Sequence, residues 1–298
     1  MKTRFAITPP ASVLNEVNFP NYVVRVEQLG FDTLWLSDIP LGTLGDPIVA
    51  LAFAAAKTSR LKLGANIVPL GRNPLWIAKQ LAQIDRLSHG RVLVSLVPGL
   101  GQPGERAALG YAKRDRGKAI EGMMDLLRRW WDGEAVTAEF EDLHFDDVQV
   151  SPRPLQQPLE IWLGGKSNIA IDRVARCADG WLTAAMTPDE AARACAEIAQ
   201  RAQGYNRCVD AEHFGISMPY SVGPPCPESV AALQQRRKDA DVSEILALGS
   251  DGLVERIQAY QAAGLSKFVV RPLNPSSNDG AWSDELDWLA ETILPLQT

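Results

Sequence analysis

Four short stretches hold residues whose types and spacing suit them to chemistry. In LWLSDIP, residues 34–40, Asp38 closes an apolar run. A carboxylate there suits proton transfer, and equally suits capping a backbone turn. In LGANIVPLGRNP, residues 63–74, Gly64 and Asn66 interrupt an apolar run, which predicts a bulge or strain at a strand end. In PGLGQPG, residues 98–104, three glycines and two prolines fall within seven positions. Bare glycines let backbone approach a flat ligand while Pro98 and Pro103 limit loop entropy, although a tight turn without chemistry has the same composition. In IWLGGKSN, residues 161–168, a strand ends in Gly164 and Gly165, and Lys166 and Ser167 open a helix. Backbone N–H groups at a helix start, beside a lysine, suit a phosphate. The GxxxxGK[ST] spacing of a P-loop is missing.

The familiar catalytic sets are absent. His89, His144 and His213 fall at no metal-ligand spacing, and no GxSxG elbow occurs. Cys177, Cys195, Cys208 and Cys226 make no CxxC or Cys/His pattern and read as reduced thiols of a cytoplasmic protein. Of the tryptophans, Trp130, Trp131, Trp282 and Trp288 lie on helical patterns and read as core or interface. Such a chain reads as an enzyme that borrows its chemistry from a cofactor.

Eight apolar runs can position these groups: residues 4–8, 33–37, 61–68, 91–97, 160–164, 180–184, 214–219 and 267–272. Several are Val/Ile/Leu-rich without clean alternation, as in parallel strands covered on both faces. Amphipathic stretches separate them. Asp46–Pro47 and Asn73–Pro74 read as N-caps followed by proline in the first turn, and Gly30 reads as a helix stop. The stretches starting at Ser167, Thr187 and Ser250 read likewise as capped helices ending at Gly180, Gly204 and Gly264. Residues 133–159 read as an excursion with a short hairpin, and a further helix is expected near 228–239. Eight βα units imply an α/β protein, a single (β/α)8 TIM barrel with insertions over residues 1–298, whose ligands sit at the C-terminal strand ends. A doubly wound sheet is the alternative, but GxGxxG is absent after the first strand.

The totals fit an ordinary globular chain: 298 residues, 46% hydrophobic and 22% charged, with a net charge of −6. That balance disfavours nucleic acid and anionic membranes as partners and leaves a small-molecule substrate. No run approaches the ~18–20 apolar residues of a membrane span.

The stretches VEQLGFDTLWLSDIP, NPLWIAKQLAQIDRLSHGR and WLGGKS followed by ADGW occur in an order that resembles the bacterial luciferase-like flavin and deazaflavin oxidoreductases. The chain is most similar to the short, actinobacterial-type members that use coenzyme F420. The resemblance implies a deazaflavin or isoalloxazine ring at the barrel mouth and a non-proline cis peptide at Asn66–Ile67 backing it. It places the phosphate near Gly164, Gly165, Lys166 and Ser167, and the cofactor tail along Val97, Pro98 and Gly99. It also implies a homodimer, formed on the side of strands two to four. Asp38 is a candidate for cofactor contact, and either Asp38 or water for proton supply. Where many relatives read Ser-Asp-His, this chain has Ser37-Asp38-Ile39, and the acid that sugar-phosphate-oxidising relatives carry is here Leu100. The expected activity is hydride transfer between F420 and a small, fairly apolar substrate. FMN-dependent monooxygenation is the alternative, and non-catalytic flavin binding is a second one.

Overall fold

The structure, a computed structural model, describes residues 1–42, 44–100, 103–111, 115–274 and 281–298. In chain order the elements are β1 (Arg4–Ile7), α1 (Asn18–Leu29), β2 (Thr33–Ser37), α2 (Pro47–Lys57), β3 (Lys62–Ile67), α3 (Pro74–Leu87) and β4 (Val92–Leu96). Then come α4 (Pro103–Ala108), α5 (Arg116–Trp131), β5 (Val136–Phe140), β6 (Leu143–Val148), β7 (Ile161–Leu163), α6 (Asn168–Cys177), β8 (Gly180–Ala184) and α7 (Pro188–Gly204). The chain closes with β9 (Phe214–Ser221), α8 (Pro227–Arg236), β10 (Ala247–Leu248), α9 (Gly249–Ala262), β11 (Lys267–Pro272) and α10 (Ala281–Ile293). This is a (β/α)8 TIM-barrel order: β1, β2, β3, β4, β7, β8, β9 and β11 are the eight expected strands.

Contacts group the chain into two compact units, Met1–Trp35 with Trp162–Thr298, and Leu36–Ile161. Within the first, parallel pairs run β7–β8, β8–β9, β9–β11, β11–β1 and β1–β2, with β10 beside the end of β9. Near the start of β11, Lys267 is buried yet neutralised, its Nζ 2.9 Å from both Asp32 Oδ2 and Thr33 Oγ1. In the second, β3 and β4 pair in regular parallel register. Leu63, Ala65 and Ile67 share the face of β3 opposite Gly64 and Asn66, and each is at most 1% exposed. Burying a side chain of the Leu or Ile kind contributes about 1.5–3 kcal/mol.

Helix starts follow their caps. Asp46 accepts from the N–H groups of Ile48 and Val49, Asn73 from Leu75, Asp115 from Gly117 and Lys118, and Thr187 forms a capping box with Glu190. Gly30 ends α1 with φ +94°, which a side chain resists. Three expectations need correction. Gly180 does not stop α6 but opens β8, where a Cβ would come within 2.5 Å of the Trp162 ring. Ser250 does not cap α9: the helix starts at Gly249, directly after β10. Pro103 and Gly104, read as loop, belong to α4, while Gly101 and Gln102 lie outside the described residues.

The excursion contains the antiparallel β5–β6 hairpin, with Phe145 edge-on to Trp130 at 5.1 Å. Its later part is pinned by Asp85, whose carboxylate accepts from the Leu155 and Gln156 N–H groups at 2.8 and 3.0 Å. All four cysteines are free. Among the described residues no helix is long and apolar enough to cross a membrane.

Candidate functional site

Asp38 follows β2 and is 8% exposed. Its N–H donates to Asn66 O at 2.9 Å, and its Oδ2 accepts from the Val68 N–H and from Arg72 Nη2, both at 3.0 Å. The same Arg72 nitrogen reaches Asp46 Oδ2 at 2.9 Å, so one guanidinium joins two carboxylates and the cap of α2. Burial raises the Asp38 carboxyl above its ordinary range, against the pull of Arg72 and the Val68 N–H. For Asp46 burial also acts upward, but Arg72 and the helix N–H groups outweigh it and hold the acid low. Two neighbouring carboxylates are thus pushed apart, a pattern that separates a proton carrier from a fixed charge. Asp38 thus satisfies a backbone N–H while burial works against its charge.

Asn66 and Ile67 continue the ladder opposite Ser95 and Leu96. The expected bulge is absent. Gly64 and Asn66 break the apolar pattern because they lie on the face of β3 opposite Leu63, Ala65 and Ile67. The expected cis Asn66–Ile67 peptide is not found: among the described residues the cis bonds are Ser151–Pro152 and Gln157–Pro158. The trans bond keeps Asn66 O on the Asp38 N–H and Ile67 O on the Val97 N–H, without the ~3–4 kcal/mol a non-proline cis bond costs. Beside Asn66, Ser95 Oγ is buried without a hydrogen-bond partner. Such an orphan marks a place for a polar ligand group. Beyond β4, Pro98 O accepts from Arg116 Nη1 at 3.0 Å. Gly99 has φ +71°, and a Cβ there would lie 2.4 Å from Glu105 Oε1. Its bareness thus admits a carboxylate of this chain.

After β7, Gly165 takes φ +110°, and a Cβ on it would meet Ala170 Cβ at 2.7 Å. Trp181 Nε1 donates to Gly165 O at 2.9 Å and fixes the turn. Ser167 caps α6 by accepting from the Ala170 N–H. The N–H groups of Lys166 and Ser167 have no acceptor among the described residues, so a bare cradle with free donors opens the helix. This donor set fits a phosphate. Lys166 Nζ lies 3.9 Å from Asp239. Asp239 belongs to a latch in which Arg237, 1% exposed, bridges Glu190 (both oxygens, at 3.0 and 2.9 Å), Asp239 Oδ1 at 2.9 Å and Ala185 O.

Sequence reasoning missed Arg72, Ser95 and Arg237. A polar residue inside the apolar run RVLVSLV was the available signal for Ser95. Nothing in the spacing announces the other two, whose partners lie 26–34 and 47 positions away.

A family model described as luciferase-like monooxygenase matches residues 10–240. The chain belongs to this luciferase-like family. The FMNH2-dependent dimethylsulfone monooxygenase of Pseudomonas fluorescens (strain Pf0-1) is 29% identical over 81% of this chain and 74% of that protein. The F420-dependent glucose-6-phosphate dehydrogenase of Kineococcus radiotolerans is 30% identical over 54% of this chain and 50% of its own length. An F420-dependent secondary alcohol dehydrogenase, solved with an F420–acetone adduct, shares the fold over all of both chains, with a TM-score of 0.81 and 16% identity. The family has F420- and FMN-dependent members, and its activities are those of oxidoreductases and monooxygenases.

Proposed function

We propose that this protein is an F420-dependent oxidoreductase, transferring a hydride between the deazaflavin and a small, fairly apolar organic substrate. The observation that carries the reading is the cradle of Gly164, Gly165, Lys166 and Ser167, with free N–H donors and a left-handed Gly165 that has no room for a side chain against Ala170. The Kineococcus relative supports F420 as the cofactor. When bound, the deazaflavin supplies a ring carbon that gives or accepts hydride. The chain's own residues bind and orient. Lys166 and Ser167 would hold the phosphate, with Gly164 and Gly165 leading the backbone into the cradle. Asp38, kept protonatable by burial and aimed by Arg72, delivers a proton from its carboxyl to the substrate atom that hydride transfer leaves negative. Ile39 and Leu100 supply neither base nor acid for alcohol oxidation, which favours reduction.

Titrating the apo-protein with F420 and with FMN, each followed by quenching of its own fluorescence, tests the reading. Micromolar F420 binding with weak FMN binding is expected. The reverse selects FMN-dependent monooxygenation, which the Pseudomonas relative favours. Binding without turnover of any electron-poor alkene or carbonyl selects the non-catalytic alternative, and binding of neither cofactor defeats the proposal. A cytoplasmic homodimer belongs to the same reading. It is supported by Val49 and Phe53 of α2 and Trp76 of α3, which stand 70%, 38% and 58% exposed. Sedimentation of Trp76→Glu should then report monomer.

A further inference from the structure

Arg271 is the penultimate residue of β11, at the strand end where barrels of this order carry ligands. Its side chain lines a cavity of about 150 Å3 together with Leu273 and one face of α8: Ser229, Ala232, Leu233 and Arg236. The four helix positions fall at i, i+3, i+4 and i+7, a single stripe. Leu233, Ala232 and Leu273 make an apolar floor, and two guanidinium groups and a hydroxyl line the same space.

Three other inward-placed cations have anionic partners. Lys267 has Asp32, Arg237 has Glu190 and Asp239, and Arg72 has Asp38 and Asp46. Arg271 has none among the described residues, and neither has Arg236. Burial and the nearby Arg236 push the Arg271 guanidinium down to about 10. Arg271 is half-buried and Arg236 exposed, so an anion in the cavity would meet one poorly solvated guanidinium and one solvated one. A guanidinium pair also matches the geometry of carboxylate and phosphate oxygens.

We propose that Arg271, Arg236 and Ser229 form a binding site for a carboxylate or phosphate group. The group belongs either to an otherwise apolar substrate or to the cofactor. The inference stands on this cavity and does not depend on which cofactor the protein uses.

The test is calorimetric titration of the apo-protein with inorganic phosphate and with malonate. Wild type should bind at millimolar concentration, Arg271→Gln should weaken binding by about tenfold or more, and Arg236→Gln should weaken it less. Lys79→Gln, on α3, should change nothing. A thermal melt guards against misfolding. In anion-free buffer Arg271→Met should melt at or above wild type, because an unneutralised half-buried charge is gone, and phosphate should raise the wild-type midpoint more than the variant's, whose cradle at Lys166 and Ser167 is intact. The source follows from F420 affinity in Arg271→Gln: unchanged affinity assigns the site to substrate, and a parallel loss assigns it to the cofactor's own anionic groups. Equal anion binding by wild type and Arg271→Gln, no binding by wild type, or phosphate stabilising both proteins alike would overturn the proposal.

Discussion

Replacing Arg72 by methionine should expose how the Asp38 cluster is held. The variant leaves the Asp38 carboxylate buried with the Val68 N–H at 3.0 Å, and removes both the 3.0 Å and 2.9 Å contacts of the guanidinium. Breaking a fully buried pair costs about 3–5 kcal/mol and an exposed pair contributes about 0–1. Side-chain exposures of 5% at Asp38, 27% at Arg72 and 37% at Asp46 lie between those limits. The expected loss is about 2 kcal/mol near neutral pH, after allowing for solvent screening. The loss must depend on pH. Without Arg72, burial and Asp46 both act upward on Asp38, so its carboxyl rises further above the ordinary range. A carboxyl raised on folding favours the folded state while protonated, and that advantage is lost as pH climbs through its folded value. Asp46, held low by Arg72 in the wild type, stabilises the fold only above the ordinary carboxylate range, and the variant forfeits this. Both effects widen the gap between wild type and variant from about pH 4 to about pH 8. Urea midpoints at the two pH values measure it, and Asp38→Asn/Arg72→Met should recover part of the loss because the stranded charge is gone. A gap that does not change with pH, or a double variant as unstable as Arg72→Met, would refute the reasoning.

If Asp38 carries the proton, Asp38→Asn should lower kcat by about 10²-fold or more and abolish a pH-dependent limb lying above the ordinary carboxylate range, while F420 quenching persists. Gly165→Ala forces a side chain onto φ +110° and into Ala170, so it should lose about 1–3 kcal/mol in thermal melts and weaken F420 binding. Arg237→Met strands Glu190 and should cost about 3 kcal/mol at neutral pH. Because Arg237 and the Thr187 N–H keep Glu190 low against burial, that cost should shrink as pH falls through the carboxylate range, as denaturation at two pH values reads.

The strands were legible because each apolar run is short and bounded by Gly, Pro or polar residues, and all eight runs became strands. Asp46–Pro47 and Asn73–Pro74 announced their helices because a cap and a proline act within one turn. Effects set by tertiary neighbours were not legible. Gly180 looks like a helix stop until Trp162 is seen against its Cα, and Gly99 looks like a ligand-facing glycine until Glu105 is seen there. Asp38 could be picked out at its strand end, but its partner Arg72 lies 34 residues on and no periodicity links them. Arg271 reads in sequence as the polar end of a strand, and only the cavity beneath α8 sets it apart.

The Arg237 latch also bears on how such a chain can change over evolutionary time. The segment from Val222 to Leu246, which carries α8, is fastened by one arginine to the capping box of α7, through a glutamate that α7 needs in any case. Much of the α8 surface is exposed, with Leu233 its one buried residue. A graft that keeps Arg237 and the buried Leu233, Val242, Ile245 and Leu246 can therefore replace other residues of α8, Ser229 and Arg236 included. The outer residues of α8 are a replaceable cartridge on a fixed footing, and their recognition chemistry can be rewritten while that footing stays in place.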